Sequence, residues 1–469
     1  MPSTVSRTLP KRKTDRESPR SQTEHTLKVA HSADEPLRRA INRIFVRDLF
    51  GVFTYDLSRP DQDLSRLALI YGDNGSGKTT ILNLLFHLLS SEPGSGHRTY
   101  LANTPFAEFS VHFTDGTVVT AQKNKGILGS FDTTLVTDNR TTTAPWPTDP
   151  NRTTELSRGS KIDPLQRTFV AKLSALGLGL RFLRENRKDA ARKVSRDAYL
   201  HRYYTESFGN TIAFADENDK HRSALQMAVD GLLAWARREA VSASNVGVEN
   251  INTIYLDIVR RITSSSRRDA AKRKTSLTYL ESQLEAQSRR SQAFSRFGLV
   301  PLLDTKELLA TLAQSEPRDT DVLVRLLEPY HASVKARLDA LQYLSEALAA
   351  LTDTLNEFFT HKTASFDISR GLVVHTDAGD ELSLNSLSSG EQQLLLLFCQ
   401  VVTAVAPTTS IFIIDEPELS LNVKWQRNLV HALLRIAKDR STQFVMATHS
   451  LELIGRYRRS VLRLGSSLS

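Results

Sequence analysis

The 469-residue chain sets 61 Lys and Arg against 52 Asp and Glu, a formal net charge of +9, with 40% hydrophobic and 24% charged residues. These proportions exclude a fibrous or wholly disordered chain, and the length leaves room for a catalytic part beside a sizeable accessory part. The single cysteine, Cys399, excludes an internal disulfide and a cysteine-rich metal site and fits a reducing cytoplasm, while Gln400 and Thr403 interrupt the longest apolar run before it reaches the roughly 18 residues of a membrane span.

Residues 1–36, rich in Ser, Pro, Arg and Lys and without the apolar core of a secretory signal, read as a disordered basic tail. Residues 37–135 read as the first part of an α/β domain. Ile41, Ile44, Val46 and Leu49 open it, Leu67 to Tyr71 form a short buried strand, and 81–89 follow as a helix. Residues 107–120 alternate apolar and polar side chains around Asp115-Gly116, a hairpin signal that places an antiparallel piece beside the parallel sheet. Residues 133–160, dense in Thr, Asp, Asn and Pro, read as a loop or boundary.

From 136 to 360 the pattern predicts a mainly helical insertion with a weak turn near 242–250. Val334, Leu341, Leu348 and Leu355 recur every seven residues, with Leu344, Leu351 and Phe358 three behind, an a/d seam of about three heptads. Charge concentrates here: residues 151–300 hold 27 Lys and Arg against 16 Asp and Glu. Within it, Arg260, Arg261, Arg267, Arg268, Lys272, Arg273 and Lys274 stand against one acid, Asp269. Such a block suits a DNA or RNA phosphate backbone, and equally a solvated helical face or an acidic protein partner. Residues 361–469 return to alternating strands and helices, so both ends of the chain close one α/β domain of mixed sheet and helices around a large helical insertion.

Two motifs carry chemistry. Gly72, Asp73, Asn74, Gly75, Ser76, Gly77, Lys78 and Thr79 fit the phosphate loop G-x-x-x-x-G-K-[ST], between a strand and a helix, with Thr80 following in the first turn. The glycines let the backbone approach phosphates, Lys78 suits the β and γ phosphates of a nucleotide, and the Thr79 hydroxyl suits Mg²⁺. Residues 411–414 form an apolar strand ending in Asp415 and Glu416. Buried carboxylates are costly unless they pair or meet a cation, so Asp415 is a candidate Mg²⁺ ligand and Glu416 a candidate base for the attacking water. A strand followed by a capping acid pair is the alternative, common when such a pair stands alone and much less favoured beside an intact phosphate loop.

Leu387-Ser388-Ser389-Gly390-Glu391-Gln392-Gln393 precedes a helix and resembles the signature motif of the ABC ATPases, in the LSSGE form of their SMC-like and OLD-like branches. The same spacing describes a capping box, with Ser388 capping and Glu391 reaching back. The resemblance continues in order: Glu416 to Asn422 looks like the run into the D-loop, with Asn422 where transporters carry Asp, and His449 matches the switch histidine that senses the γ-phosphate. Gln122 and Gln166 compete for the Q-loop, and Phe50 and Tyr55 are either adenine-stacking or core residues.

The 310 positions between Lys78 and Ser388 exceed what a transporter domain places there, and the chain looks like the AAA_15/AAA_21 group. That group includes OLD-family ATPases and ATPase subunits of anti-phage systems such as PARIS and Septu. The resemblance implies a P-loop fold of ABC type and a cytoplasmic homodimer or higher oligomer. It also implies that Ser388, Ser389, Gly390 and Glu391 of one copy meet the ATP held by the other, and that a separate effector such as a nuclease is controlled. An SMC-like DNA clamp and an ATP-gated scaffold for a toxin are the alternatives. A transporter subunit is the least favoured, and no membrane contact is expected.

Overall fold

The computed structural model describes residues 37, 39–58, 64, 66–92, 95–138, 140–149, 154, 163–183, 224–263, 270–301, 310, 317–404, 409–438 and 441–465. Side chains within 244–278, 280 and 317–326 are not described. The predicted tail therefore lies outside the described residues, as does the basic block from Arg260 to Lys274 apart from the backbone of its helical portions.

In chain order the first part comprises strands β1 (Ile41–Leu49), β2 (Phe53–Ser58) and β3 (Leu67–Tyr71), helices α1 (Lys78–Leu89) and α2 (His97–Asn103), strands β4 (Glu108–Phe113), β5 (Val118–Lys123), β6 (Phe131–Thr137) and β7 (Arg140–Trp146), helix α3 (Pro164–Ala175) and strand β8 (Leu178–Leu183). Long helices α4 (Ala224–Thr263), α5 (Ala270–Ser295) and α6 (Pro317–Phe358) follow. The last part holds strands β9 (Lys362–Asp367), β10 (Gly371–Thr376) and β11 (Glu381–Leu382), helix α7 (Ser389–Thr403), strand β12 (Thr409–Asp415), helix α8 (Val423–Ile436), strand β13 (Thr442–Thr448), helix α9 (Leu451–Arg456) and strand β14 (Val461–Arg463).

A five-stranded parallel sheet in the order β14-β3-β13-β12-β8 forms the centre. Successive side chains of a strand point to opposite faces, and here both faces are apolar. Leu67, Leu69, Phe412, Ile414, Phe444 and Met446 join a core with α4, α6, α7 and α8, whereas Ala68, Ile70, Ile411, Ile413, Val445 and Ala447 join one with α1 and the antiparallel sheet. Near-continuous apolar runs are what a sheet covered on both sides requires, which is why β3, β12 and β13 are legible in the sequence. The antiparallel sheet runs β2-β1-β4-β5-β6-β7, and the expected hairpin is β4 and β5, with Gly116 at φ 83° in its turn.

Three expectations differ from the structure. Residues 133–160 were expected to be loop, but β6 and β7 form a hairpin whose buried Phe131, Thr133, Leu135, Ala144 and Trp146 alternate with outward side chains. Thr is β-branched and suits a strand, and Pro145 is tolerated because β7 is the sheet edge. A boundary at 135/136 thus falls inside β6, and β8, within the expected insertion, pairs in parallel with β12. Finally, α4 runs unbroken through 242–250, because weak helix formers are only a mild preference against continuing a long helix. The heptad seam is present as read: Leu341, Leu344, Leu348, Leu351, Leu355 and Phe358 on α6 are all buried.

Two buried polar side chains join the pieces. Gln443 on β13 accepts from the Ile41 amide (2.8 Å) and donates to the Ile41 (2.7 Å) and Leu64 (2.9 Å) carbonyls, tying the parallel sheet to β1. Arg98 donates to the His87 (2.7 Å), Leu88 (3.1 Å) and Ser90 (2.9 Å) carbonyls, satisfying the C-terminal end of α1, and its guanidinium lies over Trp146 and Phe169. Burial pulls that guanidinium down to about 10, so it stays charged at neutral pH.

Candidate functional site

The loop between β3 and α1 turns through Gly75 and Gly77, both at positive φ (82° and 91°), a conformation glycine adopts without strain. A side chain at Gly77 would meet Leu49 at 2.7 Å, and one at Gly72 would meet the Ser76 hydroxyl at 2.8 Å. The Ser76 hydroxyl donates to the Asp73 carbonyl (2.7 Å), and the Tyr55 hydroxyl donates to the Ser76 carbonyl (3.1 Å). Gly77 caps α1 without a side-chain hydrogen bond and the first turn carries no acid, so its amides present a positive end suited to an anion.

Lys78 is buried, and its ammonium donates to the Gly72 and Asp73 carbonyls, 2.9 Å each. Burial holds it below its ordinary value, opposed by the carboxylates of Glu416, Asp415, Asp73 and Glu418. Those carboxylates are close because β13 lies between β3 and β12, bringing the C-terminal ends of the three strands together. Asp73 and Asn74 are exposed on the loop and Thr79 in the first turn of α1, with Thr80 half-buried beside it.

Asp415 ends β12 and is buried. Glu416 follows at φ 48°, in the left-handed region that costs a non-glycine residue about 1–3 kcal/mol and persists only where the surroundings enforce it. Its amide donates to the Ala447 carbonyl (3.0 Å), and its carboxylate faces His449 Nε2 at 3.6 Å. Lys78, Asp415, Glu416 and His449, picked from distant parts of the sequence, are thus gathered at one end of the parallel sheet.

The segment from Ser388 to Glu391 is placed differently. Ser388 caps α7, its amide (2.8 Å) and hydroxyl (2.9 Å) donating to Glu391, whose own amide reaches the Ser388 hydroxyl (3.4 Å). The capping box is formed, and Ser388 and Ser389 still face outward. Both carboxylate oxygens of Glu391 also accept from Lys362, 2.9 Å each. Burial works against the Glu391 charge, but Lys362 and the two Ser388 donors outweigh it and hold the carboxyl below its ordinary range.

Gly390 lies against the turn after β12: a side chain there would meet the Ser420 carbonyl at 2.6 Å and the Trp425 ring at 3.1 Å. Ser420 is a second non-glycine residue at positive φ (64°), and Gln393 donates to the Pro417 carbonyl (3.2 Å). Asn422 caps α8 through the Trp425 amide (2.9 Å). None of the described contacts of Ser388 to Glu391 is with the phosphate loop of the same chain.

Of the competing residues, Tyr55 is core, while Phe50 is 41% exposed and its ring lies 3.5 Å from where a Gly77 side chain would stand. Gln122 faces outward on β5, and Gln166 donates to the Pro145 carbonyl (2.7 Å), holding α3 to β7. Glu418 received no role from sequence reasoning. Its carboxylate accepts three hydrogen bonds from residues 448–450, and only its place two residues beyond Glu416 could have hinted at it.

The AAA_21 family model, described as "AAA domain, putative AbiEii toxin, Type IV TA system", matches residues 67–455. No match to a curated protein was found. Among solved structures, the chain is similar to the Smc head domain with an extended coiled coil bound to the C-terminal domain of ScpA from Pyrococcus furiosus, at 12% identity and TM-score 0.36, covering 89% of this chain and 91% of that one. It is also similar to the Smc head domain with a coiled coil and joint from Pyrococcus yayanosii, at 14% identity and TM-score 0.36, covering 89% and 93%.

Proposed function

This chain belongs to the AAA_21 family, and from that premise we propose that it is a Mg²⁺-dependent ATPase whose two nucleotide sites are completed when two copies meet head to tail. The observation that carries the reading is the gathering of Lys78, Asp415, Glu416 and His449 at the mouth of the α1 amides, while Ser388 and Ser389 face outward elsewhere. The residues fit the ligands. Gly72 to Thr80 form a tight turn with no room for a side chain at Gly72, against Ser76 and Leu464, or at Gly77, against Leu49, and the Asp415 carboxylate with the Thr79 hydroxyl is a hard-oxygen pair of the kind Mg²⁺ prefers.

When bound, Mg²⁺ would neutralise charge on the β and γ phosphates. Lys78 turns its ammonium from the Gly72 and Asp73 carbonyls to those phosphates. Glu416 orients the attacking water and accepts its proton, and His449, 3.6 Å from that carboxylate, senses the γ-phosphate. Ser388 and the α7 amides of the second copy close over the same phosphate. The cycle of closure and release then controls a partner effector, with anti-phage defence as the setting; the AbiEii and Type IV TA wording of the family description supports this. No helix among the described residues is long and apolar enough to cross a membrane.

The test is the light-scattering mass of Glu416→Gln with and without Mg-ATP. Mass should rise with Mg-ATP, and Ser388→Arg in the same background should abolish the rise. A monomer in both states that still binds ATP would overturn the shared site. ATPase activity stimulated by DNA and suppressed by salt would replace the effector reading with the DNA clamp.

A further inference from the structure

We infer that Glu418 is a positioning residue that sets His449 against Glu416, an inference that rests on the ATPase reading above and deepens it. Its Oε1 accepts from the Thr448 hydroxyl (2.8 Å), the His449 amide (2.7 Å) and the Ser450 amide (3.1 Å). Three donors on one carboxylate oxygen fix the turn that leaves β13, and with it the backbone from which the imidazole projects.

The other end of this clamp is equally tied. The Glu418 carbonyl accepts from Gln426 Nε2 (3.5 Å), which also donates to the Leu421 carbonyl (3.0 Å), while the Gln426 side-chain oxygen accepts from the Ser450 hydroxyl (2.9 Å). Glu418 lies between Glu416 and Ser420, the two non-glycine residues of this turn at positive φ. The turn touching Gly390 of the Ser388 segment is therefore mechanically continuous with the turn carrying His449. A shift of Ser420 by the arrival of a second copy would reach the His449 turn through the Glu418 carboxylate, with the Gln426 amide bridging the same two turns beside it.

The experiment uses the full chain and compares Glu418→Ala, Glu418→Gln and His449→Ala, singly and combined, reading kcat, KM and nucleotide affinity. Glu418→Ala should lower kcat by about tenfold to a hundredfold, the worth of hydrogen bonds to a charged group, with affinity little changed. Glu418→Gln keeps an acceptor oxygen on the three donors and exchanges an Oε2 that is buried without a hydrogen-bond partner among the described residues for an amide nitrogen. It should recover to within about threefold of the wild type. In the His449→Ala background, Glu418→Ala should cost nothing more, since residues acting as one unit are non-additive.

Losses that multiply in the double variant would overturn the inference, as would a Gln variant as poor as Ala or an affinity loss at constant kcat. If Glu418→Ala does not fold, Thr448→Val, which removes one donor at constant shape, carries the same cycle. Amide exchange at His449 and Ser450 reads the clamp without turnover. Acceleration in Glu418→Ala with an inactive wild type would sink the ATPase reading and leave the clamp, whereas unchanged exchange would sink the clamp.

Discussion

Gly390→Ala probes the junction on which the site depends. Gly390 opens α7, and its need for glycine is steric, because the added methyl would stand 2.6 Å from the Ser420 carbonyl and 3.1 Å from Trp425. The nearest atom belongs to backbone, so no rotamer change relieves the contact. Reaching an ordinary 3.4 Å separation requires α7 and the 416–420 turn to part by roughly 0.8 Å, the difference between 3.4 and 2.6 Å. Overpacking of this kind costs about 1–3 kcal/mol, and a displacement approaching 1 Å in a catalytic assembly costs up to about a hundredfold in rate. Gly455 in α9 supplies the control, since a side chain there meets nothing within 4 Å. Helix propensity alone then makes Gly455→Ala neutral or stabilising by about 0.5–1 kcal/mol. Urea unfolding and ATPase activity of both variants read the contrast. Equal stability and activity for Gly390→Ala and the wild type would refute the argument from close approach.

Two further substitutions test other joints. Glu391→Gln should destabilise the protein by about 1–3 kcal/mol at pH 7 by weakening the contacts with Lys362 and Ser388. Because the folded carboxyl is held below its ordinary 4.5, this stabilisation is present above that value and disappears as pH falls through the folded value; unfolding midpoints of the two proteins should converge in acid, and a gap that widened there would contradict the assignment. Gln443→Leu leaves the Ile41 amide and the Ile41 and Leu64 carbonyls without their partner and should cost about 2–4 kcal/mol in equilibrium unfolding. A loss under half a kcal/mol would show that the two sheets are held together otherwise.

The sequence by itself determined whatever depends on near neighbours. The strand Leu67–Tyr71, the glycine-rich turn and the Lys78 helix form one local unit, and their chemistry follows from residue types at fixed spacing. The same holds for the 107–120 hairpin, the α6 seam, and the Ser388 capping box, whose partners are three residues apart. Periods of two, of seven and of a single helical turn are set by backbone geometry, so they can be read without knowing what packs against them.

Tertiary structure decided the rest. Thr-rich β6 and β7 became strands because a half-buried surface awaited their alternating side chains, a context invisible from composition. The sheet order placed β13 beside β3, bringing His449 to a site that Lys78 enters 371 positions earlier in the chain. The carboxylate at 418 and the amide at 443 have meaning only through groups they meet across the fold at 2.7 to 3.1 Å, and the glycine at 390 only through the Ser420 carbonyl that a side chain there would strike. Hydrogen bonding and steric exclusion act over a few ångströms of space rather than of sequence, so the local chemistry could be read along the chain while the partners that aim it could not.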